Sequence, residues 1–416
     1  MKKLIISNIF YSLIEKFVLI GFQFITSIII IRNLPREDYG VIGVVAGYFV
    51  FLSFFNISME SIILRDHKNY EGKEKEILSN FLIFNIFKSI MFLFFAIVLS
   101  VLLINMFQKI EFIYSIFSIT ILLIAESLVS PFVIYFTAKF NQKLVTKISV
   151  IRAILNLFLT MGLFIYPTLK YILVKDIFIS LFYVFVWFYL VYKYLNFSLQ
   201  INIDYKFIKN SIFGYSLWTH LNGVVTNFIY KSDTFFLSMF VGLTTIGNYN
   251  IALNSANIAN ILPMILGYQN SVALSHTKNI KDAFKITTAF LIVSILIGII
   301  TFLFFYFFGN FYLYIVTGIK DNTEIFKYMI YIVLGLVIVK SFASPFNAFI
   351  NIKGSVKNLF KTTLLPVFVL ACVIYYFSAK YYGADGVSKS NVLIALIWLV
   401  FIFIEIKKYG YKFKLK

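Results

Sequence analysis

The stretch that decides the fold of this chain occurs twice. Residues 130–147 read SPFVIYFTAKFNQKLVTK, and residues 344–361 read SPFNAFINIKGSVKNLFK. In both copies Ser-Pro-Phe is followed by three lysines at the same offsets, although the whole chain has only 6 prolines. A duplication of this kind in a very apolar chain is typical of membrane proteins built from two similar halves. We therefore expect two repeats.

The composition places the chain in a membrane. Hydrophobic residues make up 61% of it and charged residues 13%, whereas soluble proteins have roughly 45–50% apolar and roughly 25% charged residues. The net charge of +19 is typical of nucleic-acid-binding proteins. Here, however, the lysines lie in short segments between apolar runs, so the sequence leaves no soluble basic domain.

The apolar runs predict the fold class. A helix that crosses the hydrocarbon needs about 20 mostly apolar residues, and the chain has about 12 runs of that kind. Lysines and arginines concentrate in alternate connections, which places both termini in the cytoplasm. We expect an all-α polytopic membrane protein, with two parallel six-helix repeats flanking a central cavity.

The same pattern predicts the domain organisation. Residues 1–195 form an N-terminal six-helix bundle, residues 196–210 a cytoplasmic linker, and residues 211–416 a C-terminal six-helix bundle with a basic tail. All connections are short, which excludes a separate catalytic domain outside the membrane.

Three motifs carry a resemblance to a known family. Leu34–Gly40 reads LPREDYG and is similar to the L-G-P-x-x-Y-G turn of bacterial polysaccharide flippases. Ser232–Tyr249 and Asn347–Gly354, the latter followed by YGADGV at 382–387, resemble further patterns of these proteins. In order and spacing, the motifs resemble the O-antigen flippase (Wzx-type) branch of the multidrug/oligosaccharidyl-lipid/polysaccharide (MOP) exporter superfamily.

The resemblance implies a function. It implies that undecaprenyl-diphosphate-linked oligosaccharide moves from the cytoplasmic to the outer leaflet of the bacterial inner membrane, for O-antigen or capsule synthesis. It also implies membrane lipids, and the polymerase and chain-length proteins of the same pathway, as partners. No cofactor is expected apart from a coupling ion, H⁺ or Na⁺.

Cations deep in apolar runs are candidates for binding the diphosphate. Such charges are costly in a membrane and usually face a cavity or a partner. An internal salt bridge, or an outward-reaching side chain, is the alternative for each of them. The candidates are Lys16, Lys231, Lys340 and Arg152.

Carboxylates in the spans are candidates for ion coupling. Burial disfavours the charged form of a carboxyl group, so such a group can exchange a proton or bind a cation. A structural pair with a neighbouring lysine is the alternative. The candidates are Glu15, Glu60, Glu126 and Asp233.

Two neighbouring spans each carry a polar helical face. Their amides and hydroxyls both donate and accept hydrogen bonds, as sugar hydroxyls do. We expect these faces to line a sugar-binding cavity, with hydrogen bonds between helices as the alternative. The residues are Asn222, Thr226, Asn250, Asn254 and Asn257.

The repeated prolines, Pro131 and Pro345, are candidates for hinges because proline bends a helix. No phosphate-binding glycine loop, metal-ligand spacing or nucleophile motif occurs in the sequence. The chain is therefore not expected to be an enzyme. A drug exporter of the same superfamily, and a membrane polymerase or ligase of the same pathway, are the alternative functions.

Overall fold

The structure is a computed structural model that describes residues 2–57, 72–139, 141–200, 215–277 and 279–414. Over these ranges the chain is almost entirely helical and has no strand. The prediction of an all-α polytopic membrane protein is confirmed. The described residues form two compact units, which are Met1–Val45 with Leu52–Leu217, and Ala46–Phe51 with Trp218–Lys416.

Unit 1 is built from long apolar helices. They are α1 (Lys2–Asn33), α2 (Arg36–Tyr48, followed by a 3₁₀ turn at Phe49–Phe54), α3 (Glu74–Phe107), α4 (Glu111–Ala138), α5 (Gln142–Thr160, followed by a 3₁₀ turn at Met161–Phe164) and α6 (Leu169–Leu195). The residues of α2 from Ala46 onward group with unit 2.

Over the described residues, unit 2 has more 3₁₀ and π-helical turns between its helices than unit 1 has. Its helices are α7 (Tyr215–Leu237), α8 (Leu243–Asn257), α9 (Ile261–His276), α10 (Ile280–Thr317), α11 (Thr323–Ile338), α12 (Ser344–Lys353), α13 (Val356–Leu359) and α14 (Leu365–Lys414). A 3₁₀ turn separates α8 from α9, and π-helical turns at Val339–Ala343 and Phe360–Leu364 precede α12 and α14.

Ten of the described helical segments are long and apolar enough to cross a membrane. One of them, Val356–Lys408, contains Gly383, whose φ of 56° is not helical, so this segment turns within itself. A left-handed φ favours glycine because it has no Cβ. The predicted number of about twelve spans, the central cavity and the location of the termini stay predictions. Most of the predicted 196–210 linker lies outside the described residues, so the domain boundaries also stay predictions.

The turn between α1 and α2 contains the LPREDYG motif. Leu34 and Tyr39 are buried, and the Tyr39 amide donates to the Pro35 carbonyl over 3.0 Å. Glu37 accepts a hydrogen bond from Lys109 in the connection between α3 and α4. This contact raises the pKa of the Lys109 ammonium. The motif therefore has a structural role in joining α1 to α2.

Pro131 lies inside α4 without ending the helix. Because proline has no N–H, the carbonyl four residues earlier, that of Ser127, loses its helical donor. The Asn85 side chain of α3 donates to this carbonyl over 2.8 Å, and Asn85 is almost fully buried. A neighbouring helix thus supplies the hydrogen bond that the proline removes.

Pro345 is accommodated in a different way. It lies in the first turn of α12, directly after the π-helical turn at Val339–Ala343. The buried Asn270 of α9 donates to the Pro345 carbonyl over 3.2 Å. The two copies of Ser-Pro-Phe therefore have different surroundings, although an asparagine contacts each of these segments.

We predict that Asn85→Ala lowers the free energy of unfolding by about 1–3 kcal/mol, because the Ser127 carbonyl loses its short hydrogen bond and keeps the longer one from the Ser130 hydroxyl at 3.4 Å. In a Pro131→Ala background the cost should be smaller, since position 131 then has an N–H for that carbonyl. A double-mutant cycle of unfolding in detergent measures this coupling. Ser100→Ala in the same helix is the control, because the Ser100 hydroxyl donates to the Ala96 carbonyl within α3. An equal cost of Asn85→Ala in both backgrounds would contradict the prediction.

Candidate functional site

Unit 1 encloses a cavity of about 520 Å³. Helices α1, α2, α4, α5 and α6 line it, and its wall is mostly apolar with several hydroxyl and amide side chains. Four charged side chains lie in this wall: Glu126, Arg152, Lys175 and Asp176. The cavity therefore offers polar and charged side chains on an otherwise apolar wall.

Arg152 and Glu126 form an ion pair in the cavity wall. The Arg152 Nη2 atom lies 3.2 Å from Glu126 Oε1, and the guanidinium stacks on the Tyr183 ring at 4.2 Å from its centroid. Arginine commonly combines an ion pair with stacking on an aromatic face. The structure thus brings together Arg152, a residue predicted to bind the diphosphate, and Glu126, a residue predicted to couple ions. The two side chains pair with each other.

The second charged pair was missed by the sequence reasoning. Lys175 Nζ lies 2.5 Å from Asp176 Oδ1 and donates to Asn156 Oδ1 over 2.9 Å. The Ser118 hydroxyl donates to the other oxygen of Asp176. The adjacent Lys-Asp pair in an apolar run was the available signal. The contacts of this pair with Ser118 and Asn156 could not be predicted, because they depend on how α4, α5 and α6 are rotated about their axes.

Glu15 of α1 lies in unit 1 but does not line the cavity. Its Oε2 atom accepts hydrogen bonds from Gln142 Nε2 at 2.7 Å and from Thr146 Oγ1 at 3.3 Å. The side chain of Lys16, the next residue, is exposed at the surface of unit 1. Glu60 lies outside the described residues.

Asp233 is the centre of a buried network in unit 2. One carboxylate oxygen accepts from the Thr234 amide at 2.6 Å, and the other accepts from the Tyr249 hydroxyl at 2.6 Å. The Tyr249 hydroxyl accepts from Asn391 Nδ2 at 3.0 Å, and Tyr375 donates to Asn391 Oδ1 at 2.8 Å. The network joins α7, α8 and both parts of α14.

Lys340, unlike Asp233, lies over an aromatic ring. It lies in the π-helical turn after α11, and its ammonium is 4.9 Å from the centroid of the Tyr230 ring. No described carboxylate forms a salt bridge with it. π-helical turns frequently occur at functional sites. Lys231 follows Tyr230 on α7, and its side chain is exposed at the surface of unit 2.

The predicted sugar-facing residues are divided between buried and exposed positions. Asn222 and Asn250 are buried, and Asn222 donates to the Val356 carbonyl over 3.4 Å. Asn254 donates to Asn250 Oδ1 over 3.5 Å and is exposed, as is Asn257. Thr226 is half-buried. Both helical faces are thus polar, and part of each is occupied by hydrogen bonds within unit 2.

Residues 5–274 match the protein family described as "Polysaccharide biosynthesis protein". This chain belongs to that family. No curated protein matches the chain. Among solved structures, it resembles an inward-facing multidrug resistance MATE transporter of the MOP superfamily, with a TM-score of 0.66 and 14% identity over 93% of this chain and 94% of that one.

An outward-facing MATE transporter gives a TM-score of 0.64 and 13% identity over 97% of this chain and 96% of the other. A MOP superfamily transporter from Pyrococcus furiosus gives a TM-score of 0.61 and 13% identity, over 98% of this chain and 96% of the other. The chain thus belongs to a polysaccharide biosynthesis family and has the fold of MOP superfamily transporters. The predicted resemblance to MOP exporters is confirmed.

We predict that Asp233→Ala destabilises unit 2, because the Tyr249 hydroxyl loses its buried acceptor. An orphaned group of this kind costs about 1–3 kcal/mol. Thermal unfolding of the purified protein in detergent measures the loss. Asp385→Ala is the control, since Asp385 pairs with Lys327 and Lys389 at partly exposed positions and such pairs contribute about 0–1 kcal/mol. Equal losses in the two variants would contradict a structural role for the Asp233 network.

Proposed function

We propose that this protein is a flippase for undecaprenyl-diphosphate-linked oligosaccharide. It carries the lipid-linked sugar from the cytoplasmic to the outer leaflet of the bacterial inner membrane by alternating access, with both termini in the cytoplasm. The family supports a role in polysaccharide synthesis, and the fold supports transport. The product serves O-antigen or capsule assembly, and the polymerase and chain-length proteins of that pathway are the proposed partners.

Lys340 is the observation that carries this proposal. An ammonium without a described carboxylate partner is expensive in an apolar helix bundle, so a membrane protein retains one where it has a function. Its neighbour is an aromatic ring, which attracts a cation without neutralising it. The charge of Lys340 therefore stays available for an anionic ligand, and the diphosphate is the anionic group of the proposed substrate.

The remaining predicted cations take secondary roles in the proposal. Lys231 and Lys16 are additional contacts for the diphosphate. Arg152 is a weaker one, because Glu126 already shares its charge. The exposed amides of Asn254 and Asn257 are contacts for sugar hydroxyls, together with Thr226, Asn222 and Asn250.

The energy source of the proposed transport is an ion gradient. Glu15, Glu126 and Asp233 are the described carboxylates that could take up H⁺ or Na⁺, and Glu60 stays a further candidate. Of these candidates, Glu126 is the one that lies in the wall of the unit 1 cavity. Its arginine partner can release it when the carboxyl group is protonated, which makes Glu126 the preferred candidate.

Drug export is the second candidate, because two of the similar structures are multidrug MATE transporters. Cationic drugs require an anionic site, whereas the carboxylates of the unit 1 cavity are both paired with cations. Asp233 is likewise enclosed by hydrogen bonds. These pairings favour the lipid-linked sugar. An enzyme of the same pathway is less well supported, since the family and the fold are those of transporters.

We predict that Lys340→Ala abolishes export of surface polysaccharide while the protein still reaches the membrane. Loss of a charge-assisted hydrogen bond costs about 1.5–3 kcal/mol, which corresponds to roughly 10- to 150-fold in affinity. Surface glycan in the native cells, measured beside the amount of protein in the membrane, checks this.

Two variants control this experiment. Lys340→Arg keeps the charge and should retain part of the export. Lys380→Ala removes a lysine that also lies near aromatic rings, those of Tyr376 and Tyr381, but outside the proposed site. It should export normally. Normal glycan in Lys340→Ala cells would remove Lys340 from the proposed site.

A further prediction concerns the prolines. If Pro131 and Pro345 allow their helices to bend during transport, the double variant Pro131→Ala, Pro345→Ala should transport more slowly at an unchanged level of protein. Pro167→Ala is the control, because Pro167 lies in the connection before α6 and outside any helix. A double variant that transports at the wild-type rate would exclude the hinge role.

A further inference from the structure

The first lysine of each Ser-Pro-Phe repeat is bonded within its own unit. In unit 1, Lys139 Nζ lies 3.6 Å from Glu74 Oε1. In unit 2, the Lys353 ammonium donates to the Thr277 carbonyl. Lys139 directly follows α4, and Lys353 is the last residue of α12, so each of these lysines joins the end of a helix to a neighbouring segment. The other two lysines of each repeat have different surroundings.

The second lysine of each repeat lies over an aromatic ring of the first helix of its unit. Lys143 Nζ is 6.0 Å from the centroid of the Tyr11 ring of α1. Lys357 Nζ is 5.4 Å from the centroid of the Trp218 ring of α7. An aromatic ring attracts an ammonium group without neutralising it. The same contact thus occurs in both units, although neither ring belongs to the repeated stretch itself.

The two rings occupy equivalent positions in the duplicated sequence. Tyr11 and Trp218 are separated by the same number of residues as Gly40 and Gly247. Each of these glycines is the fifth residue of the second helix of its unit, α2 or α8. The contact between a lysine and a ring of the first helix is therefore a property of both repeats.

The third lysine of each repeat, Lys147 or Lys361, is exposed, as is the second. It follows the second lysine by about one helical turn, which places both on one side of the helix. None of the four lysines Lys143, Lys147, Lys357 and Lys361 forms a salt bridge with a described carboxylate. Each unit therefore presents two ammonium groups whose charge its described residues do not neutralise.

Two carboxylates lie close to these lysines in the structure but have other partners. Glu15 accepts from the Thr146 hydroxyl at 3.3 Å, beside Lys147. Glu405 accepts from the Thr362 hydroxyl at 2.9 Å and pairs with Lys408 at 3.0 Å. Both carboxylates are thus bonded within their own units.

The exposed lysines lie at the ends of apolar spans. The connection after α4 joins the candidate spans Glu111–Ala138 and Gln142–Phe164, and the connection after α12 joins Thr323–Lys353 and Val356–Lys408. Span ends lie at the level of the lipid headgroups, where tyrosine and tryptophan are enriched and lysine side chains extend towards the phosphates. Clusters of lysines at this level attract anionic lipids.

A general preference for lysine on the cytoplasmic side would place lysines in these connections. It does not require that the second lysine of both repeats lies over a ring of the first helix. The unit 1 residues Tyr11, Lys143 and Lys147 also lie outside the wall of the unit 1 cavity. The repeated arrangement therefore needs an explanation at the membrane surface.

We propose that each unit binds the headgroup of an anionic phospholipid of the surrounding bilayer. The two ammonium groups contact the phosphate, and the ring packs against the glycerol and the upper acyl chain. A bilayer supplies a phosphate to both units at once, whereas a transported diphosphate is a single group, so the occupant is a bilayer lipid. We call the two sets of residues lipid patches: Tyr11, Lys143 and Lys147 in unit 1, and Trp218, Lys357 and Lys361 in unit 2.

Native mass spectrometry of the delipidated full-length protein counts the bound lipids directly. The protein is titrated with phosphatidylglycerol and, separately, with phosphatidylcholine of the same acyl chains. We expect two phosphatidylglycerol molecules to bind about 10- to 30-fold more tightly than phosphatidylcholine, since each lysine near an anionic headgroup contributes about fivefold. The double variant Lys143→Gln, Lys147→Gln should leave one preferred site, as should Lys357→Gln, Lys361→Gln. The quadruple variant should leave none.

Two further sets of variants control for total charge and for the ring. Lys320→Gln, Lys380→Gln removes two lysines outside both lipid patches, one of them over aromatic rings, and should keep two preferred sites. Trp218→Leu should weaken the unit 2 site about 2- to 5-fold, the value of one contact between a cation and a ring. Trp218→Phe keeps an aromatic ring and should retain most of the affinity.

Three results would overturn the inference. They are equal binding of the two lipids by the wild-type protein, an undiminished preference in the quadruple variant, and an equal loss in the Lys320→Gln, Lys380→Gln variant. Equal affinities of Trp218→Leu and Trp218→Phe would remove the ring from the site. The inference does not rest on the proposed function. A protein that binds two phosphatidylglycerol molecules and does not move lipid-linked oligosaccharide in liposomes contradicts that function alone.

Discussion

In the hydrocarbon core of a membrane, water cannot satisfy a polar group, so the protein must supply each hydrogen bond itself. The Asn85 amide illustrates this constraint, since it donates to the Ser127 carbonyl that Pro131 deprives of its helical partner. The same constraint explains why Asp233 is enclosed by Thr234 and Tyr249. Satisfied polar groups of this kind hold the helices of each unit in register.

We propose that an anionic ligand binds at a cation whose charge is not compensated in this way. The ammonium of Lys340 has an aromatic neighbour and no described carboxylate.

The sequence predicts the class of fold because hydrophobicity and helix length depend on composition alone. Apolar runs predicted the helices, and the repeated Ser-Pro-Phe segments predicted a duplication. The sequence does not predict which side chains pair. Arg152 and Glu126 were both recognised as unusual, but their contact depends on the rotation of α4 and α5 about their axes. Lys175 and Asp176 were overlooked for a different reason, since adjacent charges near the start of a helix look like residues at a membrane surface. The π-helical turn around Lys340 has no simple sequence signal.

The central claim is that this transporter moves a lipid diphosphate carrying a sugar. The most direct test reconstitutes the purified full-length protein in liposomes with undecaprenyl-diphosphate-linked oligosaccharide from the cells that make this chain. The accessible fraction of the sugar in each leaflet is followed with time. Our account predicts that the sugar reaches the opposite leaflet faster than in protein-free liposomes, and faster still when an H⁺ or Na⁺ gradient is imposed. Transfer at the protein-free rate, while the same liposomes transport cationic drugs, would contradict it.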